Sequence, residues 1–302
     1  MKAIKIYRIL LFLLSIILGS QLLAGSGKVF EESYPQKEKL KIELVLGSCT
    51  IKKSTDDKIH VMVNYTYDDE NFEIKVKEKE RSLHLEEKFY GRNSSGDSEW
   101  TIYLPDKVKI DYKCATGGLF LDQVTVDIDG KTGTGDISVI GSSGEFELKS
   151  GTGNVIAEKS QGVFDFASGT GDISLKNCNG EFDAKSGTGD VQAVDLTIIE
   201  EAAFKSGTGN AEVSDPSGED FDLSVKAGTG DATLVLDKTP LQGYFEFQAN
   251  SSGGDIISPI GFDNEQDYDR ADDSYTVKSF TRGKSTPRYF LSTGSGTAEL
   301  KK

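Results

Sequence analysis

Lys149-Ser-Gly-Thr-Gly-Asn154 is one copy of a hexapeptide that recurs along the chain. Lys131-Thr-Gly-Thr-Gly-Asp136, Ala167-Ser-Gly-Thr-Gly-Asp172 and Lys185-Ser-Gly-Thr-Gly-Asp190 are near copies, and Lys205-Ser-Gly-Thr-Gly-Asn210 and Lys226-Ala-Gly-Thr-Gly-Asp231 follow. With the first glycine of each as origin, copies fall at Gly133, Gly151, Gly169, Gly187, Gly207 and Gly228, in steps of 18, 18, 18, 20 and 21 residues. A period near twenty is the signature of a solenoid, whose repeats bury their apolar faces only against their neighbours.

Three and five positions before the origins stand Leu148 and Phe146, Phe166 and Phe164, Ala184 and Phe182, Phe204 and Ala202, Val225 and Leu223. Four and six positions after them stand Ile137 and Val139, Val155 and Ala157, Ile173 and Leu175, Val191 and Ala193, Ala211 and Val213, Ala232 and Leu234. Both flanks alternate with period two, as strands with one buried face do. The residue before each origin shares that inward parity and is small (Thr132, Ser150, Ser168, Ser186, Ser206, Ala227), as a tight corner between two strands requires. Period and glycine density exclude helix.

Degenerate copies extend the template: Gly47 with Ile42, Leu44 and Ile51; Ala115 with Ile110, Tyr112, Leu119 and Leu121; Ser252 with Phe247, Ala249 and Ile256; Gly294 with Tyr289, Leu291, Ala298 and Leu300. End coils that cap a stack are expected to be atypical. The step of 42 from Ser252 to Gly294 implies a distorted coil or an insertion. The expected fold is all-β, a single elongated parallel β-solenoid (β-helix) with coils of 18–21 residues, right-handed by the usual crossover preference. Irregular β coils over 25–112 form an N-terminal cap, continuous as one domain with regular repeats over 113–302. Antiparallel hairpins at the Gly-Thr-Gly turns would contradict this reading.

Residues 1–24 carry Lys2, Lys5 and Arg8, the apolar run Ile9 to Leu18, and a small residue at Ala24. This is the pattern of a secretory signal peptide, with an uncleaved N-terminal anchor as the alternative. The run is short for a bilayer span, and no cysteine follows it to accept a lipid. An exported, periplasmic, cell-surface or secreted protein is expected, with no membrane insertion of the mature chain. Loss of the three basic leader residues takes the formal charge from −15 to −18, which argues against nucleic acid and anionic lipid as partners.

Cys49, Cys114 and Cys178 are too few and too scattered for a disulfide framework. Cys114 takes the small inward slot, a Cys49–Cys114 bridge is conceivable, and Cys178 is expected to be a free thiol in the opposite turn. Leu40 to Leu46, Ile59 to Tyr65, Phe72 to Val76, Leu83 to Leu85 and Trp100 to Leu104 read as short strands. Glu86 to Glu99, Lys238 to Pro240 and Asp263 to Asp273 read as loops.

The Ser-Gly-Thr-Gly-Asp repeats, the leader and Leu46-Gly-Ser-Cys-Thr-Ile51 together resemble the bacterial "putative adhesin" domain of unknown function, over roughly Leu40 to Leu300. The resemblance implies a parallel β-solenoid in an envelope or secreted protein. It supplies no catalytic residues.

The third residue after each origin forms a file: Asp136, Asn154, Asp172, Asp190, Asn210, Asp231. At about 4.8 Å between strands, adjacent carboxylates repel by roughly 1 kcal/mol in water, which a cation relieves. Asp136, Asp172, Asp190 and Asp231 are therefore the candidate metal residues, with Ca²⁺ as the ion. The reading adopted over it is that Asp and Asn bond turn amides while glycine supplies the unusual dihedrals, so no metal site is assigned. Toxin-type β-rolls that bind Ca²⁺ use a nine-residue period this chain lacks. Gly133-Thr-Gly135 has no following helix or P-loop lysine to make a phosphate site. His60 and His84 read as sheet residues, and Trp100 with Tyr103 as either a sugar-stacking platform or a cover for the first coils. No cofactor and no catalytic residue is expected.

The expected function is a non-enzymatic, adhesin-like surface or periplasmic binding or structural module. Its partner would be an envelope polysaccharide or a surface protein. The alternatives are a polysaccharide-processing β-helix enzyme and an envelope scaffold or stress-sensing protein. A glycoside hydrolase needs paired carboxylates about 5–10 Å apart in a walled cleft, and turns such as Gly141-Ser-Ser-Gly144 are too short to wall one.

Overall fold

The computed structural model describes residues 27–91, 95–270 and 273–302; the expected leader lies outside them. The regular structure there is all β-strand, in one sheet of 13 strands and one of 14. The alternating pattern produces this arrangement. Val126–Thr134 turns Val126, Ile128 and Thr132 inward, Gly135-Asp136 makes a corner, and Ile137–Ile140 turns Ile137 and Val139 inward from the facing sheet. Gly141-Ser142 then returns the chain to the long strand Ser143–Thr152. Strands on either side of a Gly-Thr-Gly corner thus lie in different sheets. Each pairs in parallel with its counterparts 18 residues away, Ile128 with Ile110 and Phe146, Val139 with Leu121 and Ala157.

The core between the sheets repeats with the strands. Phe146, Phe164 and Phe182 stack in file with ring centroids 5.3 and 5.1 Å apart. The 20-residue step is a bulge in Thr197–Thr208. Gly180 pairs with Ile198 but Phe182 pairs with Ala202, so two residues are extruded and Ile199 is left exposed.

At both ends the coils stack out of sequence order. Lys39–Leu44 lies between Val108–Thr116 and Ser82–Phe89, so the chain lays its first coil, builds the N-terminal cap outside it, and returns to its inner side. At the other end Arg288–Ser295 inserts between Asp222–Thr229 and Gly243–Asn250, and Thr297–Lys301 inserts between Ala232–Val235 and Asp255–Ile257. The 42-residue step is therefore not one distorted coil: the Gly294 copy belongs inside the stack, directly on the Gly228 copy. The hairpin Asn264–Arg270/Asp273–Arg282 occupies the intervening chain and pairs antiparallel on Gly243–Asn250. Asp263 to Asp273, expected as a loop, supplies one strand of it. At a sheet edge, polar residues are tolerated on both faces, so the segment shows no buried alternation.

Other expectations are corrected in register. Leu44 pairs with Cys114, which places Gly47 against Gly117, the second corner glycine, and makes Val45 the true origin of the first coil. Likewise Ala249 pairs with Thr293 while Ile256 pairs with Ala298, so Asn250 is the origin and the corner of that coil has two extra residues. A two-residue slip preserves face parity, which is why the apolar columns matched both templates. In the segment Glu86 to Glu99, expected as a loop, Ser82–Phe89 and Ser98–Leu104 are strands up to and beyond the turn.

Glu87 explains how the N-terminal corner is finished. It is buried in the column that holds Leu44 and Cys114. Its Oε2 accepts the N–H groups of Val45 and Leu46 at 2.7 and 3.1 Å, and its Oε1 accepts Trp100 Nε1–H at 2.8 Å and the Ser98 hydroxyl. The corner amides that a further coil would satisfy are met by one carboxylate.

Candidate functional site

The corner file is a hydrogen-bond ladder. Asp136 Oδ1 accepts the Asn154 N–H at 2.7 Å, Asn154 Oδ1 the Asp172 N–H at 2.9 Å, and Asp172 Oδ1 the Asp190 N–H at 2.8 Å. Asp190 serves Asn210 at 2.7 Å, Asn210 serves Asp231 at 2.9 Å, and Asp231 serves Thr297 at 2.8 Å. Each of Asp136, Asp172, Asp190 and Asp231 thus commits one carboxylate oxygen to the next coil's backbone. Among the described residues no three His, Cys, Asp or Glu side chains gather where they would hold a metal ion. The ladder binds the turn amides, as the preferred reading of these Asp and Asn residues expected.

Behind it runs a buried ladder that the sequence showed only as small size. The hydroxyls of Thr132, Ser150, Ser168, Ser186, Ser206 and Thr293 donate to the carbonyls of Gly117, Gly135, Gly153, Gly171, Gly189 and Gly230 at 2.7–2.9 Å. The second corner glycine cannot be replaced: Gly171 has φ +145°, and a Cβ there would lie 2.3 Å from Gly153 O. All three cysteines are buried free thiols. Cys114 Sγ donates to Gly47 O at 3.4 Å, taking the hydroxyl's place in the ladder, and burial pushes its thiol up to about 11.

The outer face of the 14-stranded sheet is ruled in files. A lysine file (Lys113, Lys131, Lys149, Lys185, Lys205, Lys226) runs beside an acidic file (Asp111, Asp129, Glu147, Asp165, Asp183), because residues two apart on a strand share a face. Within coils they pair: Lys131 with Asp129 at 3.4 Å, Lys149 with Glu147 and Lys185 with Asp183 at 2.5 Å. Beyond Asp183 the acidic file continues as Ala203, Ser224, Phe290 and Glu246. A groove of 580 Å³ opens there.

Trp100, expected to stack sugar or to cover the first coils, is wholly buried against Glu87, and only Tyr103 of that pair keeps partial exposure. His84 Nε2 lies 2.7 Å from Glu43 Oε2, in hydrogen-bond contact across neighbouring strands. His60 lies in a chain of contacts the sequence did not reveal: its Nδ1 is 2.8 Å from Ser33 Oγ and its Nε2 2.8 Å from Asp56 Oδ1. Ser33 and His60 are directly paired residues of neighbouring strands, 27 positions apart, so no local spacing marks them. Ser33 and Asp56 are solvent-exposed, and Asp56 is fixed by the Ser54 hydroxyl and capped by the Lys58 N–H. This is the geometry of a surface cross-strand contact.

Among the described residues no helix is long and apolar enough to cross a membrane. The Toastrack DUF4097 family model matches residues 37–253. No curated protein matches the chain. Among solved structures, a "putative cell adhesion protein" from Clostridium sporogenes is 17% identical, covering 91% of this chain and 99% of its own, with a TM-score of 0.22. A "putative adhesin" from Parabacteroides distasonis is 13% identical (92% and 98%, TM-score 0.37), and a "putative lipid binding protein" from the same species is 10% identical (92% and 97%, TM-score 0.35). Scores this low carry no functional property over to this chain.

Proposed function

This chain belongs to the Toastrack DUF4097 family, and from its geometry we propose that it is an exported, non-enzymatic, adhesin-like binding or structural module. One observation carries the reading. From Val126 to Ser214 the strands are joined by pairs of residues such as Gly135-Asp136 and Gly141-Ser142, so no loop along that stretch rises above the sheets to wall a catalytic cleft. The carboxylates at those corners are tied to backbone amides. What the stack offers is a long, ordered outer face suited to multivalent contact with an envelope polysaccharide or a surface protein. The leader pattern of residues 1–24 supports export. The same proposal takes the stack as one continuous, right-handed solenoid, with 25–112 as its cap and 113–302 as its regular repeats.

The test is binding of labelled protein lacking residues 1–24 to isolated envelope fractions, with calcium and with chelator. Saturable binding to one fraction, unchanged by chelator, is expected. Loss of binding in chelator would restore the Asp file as a Ca²⁺ site. Release of reducing ends from an envelope polysaccharide would replace the proposal with the enzyme reading.

A further inference from the structure

We propose that the groove on the outer face of the 14-stranded sheet is a binding site for a neutral glycan lying along the stack axis. The inference rests on the binding-module reading and gives it a place and a ligand class. The groove exists because the ruled face breaks. In the regular coils each lysine faces an acid two residues before it; at Lys205 and Lys226 that position holds Ala203 and Ser224, so the pairing cannot form and a floor of small side chains is left. The break begins at the bulge that extrudes Ile199 and ends at the inserted strand Arg288–Ser295. Both strands that depart from the regular repeat therefore line this one groove.

Its walls differ from the rest of the face. Phe290 and Tyr244 bring aromatic rings to its C-terminal side. On the hairpin beyond the groove, Tyr268 and Tyr275 stack 5.6 Å apart. Carboxylates of Glu201 and Asp222 line one flank, and Arg288 joins them. Such a lining offers hydrogen-bond acceptors and donors at once, beside flat apolar surface. A hydroxyl-rich ring with C–H faces uses all three. An acidic polymer would meet Glu201, Asp222 and Glu246, and a basic one would meet Arg288, so the charges of both signs favour a neutral chain. The groove crosses from the strand of Asp183 to that of Tyr244, four strand spacings or about 19 Å, and it is open along that line. That shape admits a polymer where an enclosed cavity would admit only a small molecule.

The test uses the chain lacking residues 1–24 and calorimetric titration with laminarin and dextran as neutral probes, dextran sulfate as the acidic probe and chitosan oligomers as the basic one. Saturable binding to a neutral glucan is expected. Ala203→Arg and Phe290→Ala should each weaken it about tenfold or more, while Lys131→Ala, outside the groove, should leave it unchanged. Ser224→Arg blocks the same floor and serves if Ala203→Arg does not fold. Binding to neither neutral glucan, preference for a charged probe, or undiminished binding by a folded floor variant would overturn the site. If a floor variant still binds envelope fractions as the parent does, the glycan site fails and the module reading stands; if the parent binds no fraction, both fail.

Discussion

Single residues hold this fold at its corners, and their costs are separable. Glu87→Ala would strand the Trp100 indole N–H in a buried site and the Val45 and Leu46 amides in a half-buried one, costing about 3 kcal/mol, whereas Glu87→Gln keeps one acceptor and should cost less. Denaturant unfolding followed by emission of Trp100, the single tryptophan, measures both. Gly171→Ala demands a Cβ 2.3 Å from a carbonyl at φ +145° and should cost more than Ser168→Ala, which gives up one hydrogen bond for about 1 kcal/mol. Ala227 already occupies that slot in another coil. The inward columns and the small corner slot were legible in the sequence because period two and residue size are local properties. The role of Glu87 was not, since the corner amides it caps lie 42 and 41 residues away and its own neighbourhood reads as a polar loop.

At the scale of elements, the two ends of the stack are built differently from its middle. In the N-terminal cap, Arg81 holds Glu38, Lys41 and then His84 hold Glu43, His60 holds Asp56, Lys28 holds Asp69 and Lys77 holds Glu86 below the ordinary carboxylate range. A depressed folded-state pKa gives stability that is present above the unfolded values of 4.5 and 3.8 for Glu and Asp, and is lost as pH falls through the folded ones. The cap should therefore loosen first in acid. Trp100 emission should shift red between about pH 5 and pH 3 before the far-ultraviolet sheet signal falls; coincident transitions would contradict this. At the other end, a chain stopped at Gly283 lacks the inserted strands Arg288–Ser295 and Thr297–Lys301. Amide exchange should then lose protection across Gly243–Asn250 and Asp273–Arg282 while Val126–Thr134 stays protected. Parallel strands and coil spacing followed from the repeat. The insertions did not, because two-residue slips keep every apolar column aligned and the order of stacking leaves no mark on periodicity.

Across the whole molecule, the first and last coils are clamped inside the stack instead of fraying from it, so the outer face is continuous from cap to hairpin. That continuity is what a multivalent or groove-bound partner would need. The groove was not legible in the sequence, because it arises only where a bulge and an out-of-order strand bring Ala203, Ser224 and Phe290 into one file. The most direct test of the register-locked stack is the distance between paired spin labels in the lysine file. Labels at positions 149 and 292 should lie five strand spacings apart, about 24 Å, and labels at 149 and 248 six spacings, about 29 Å, both as narrow distributions. The residue nearer in sequence is then farther in space. The reverse order of distances, or broad distributions, would contradict the stack described here.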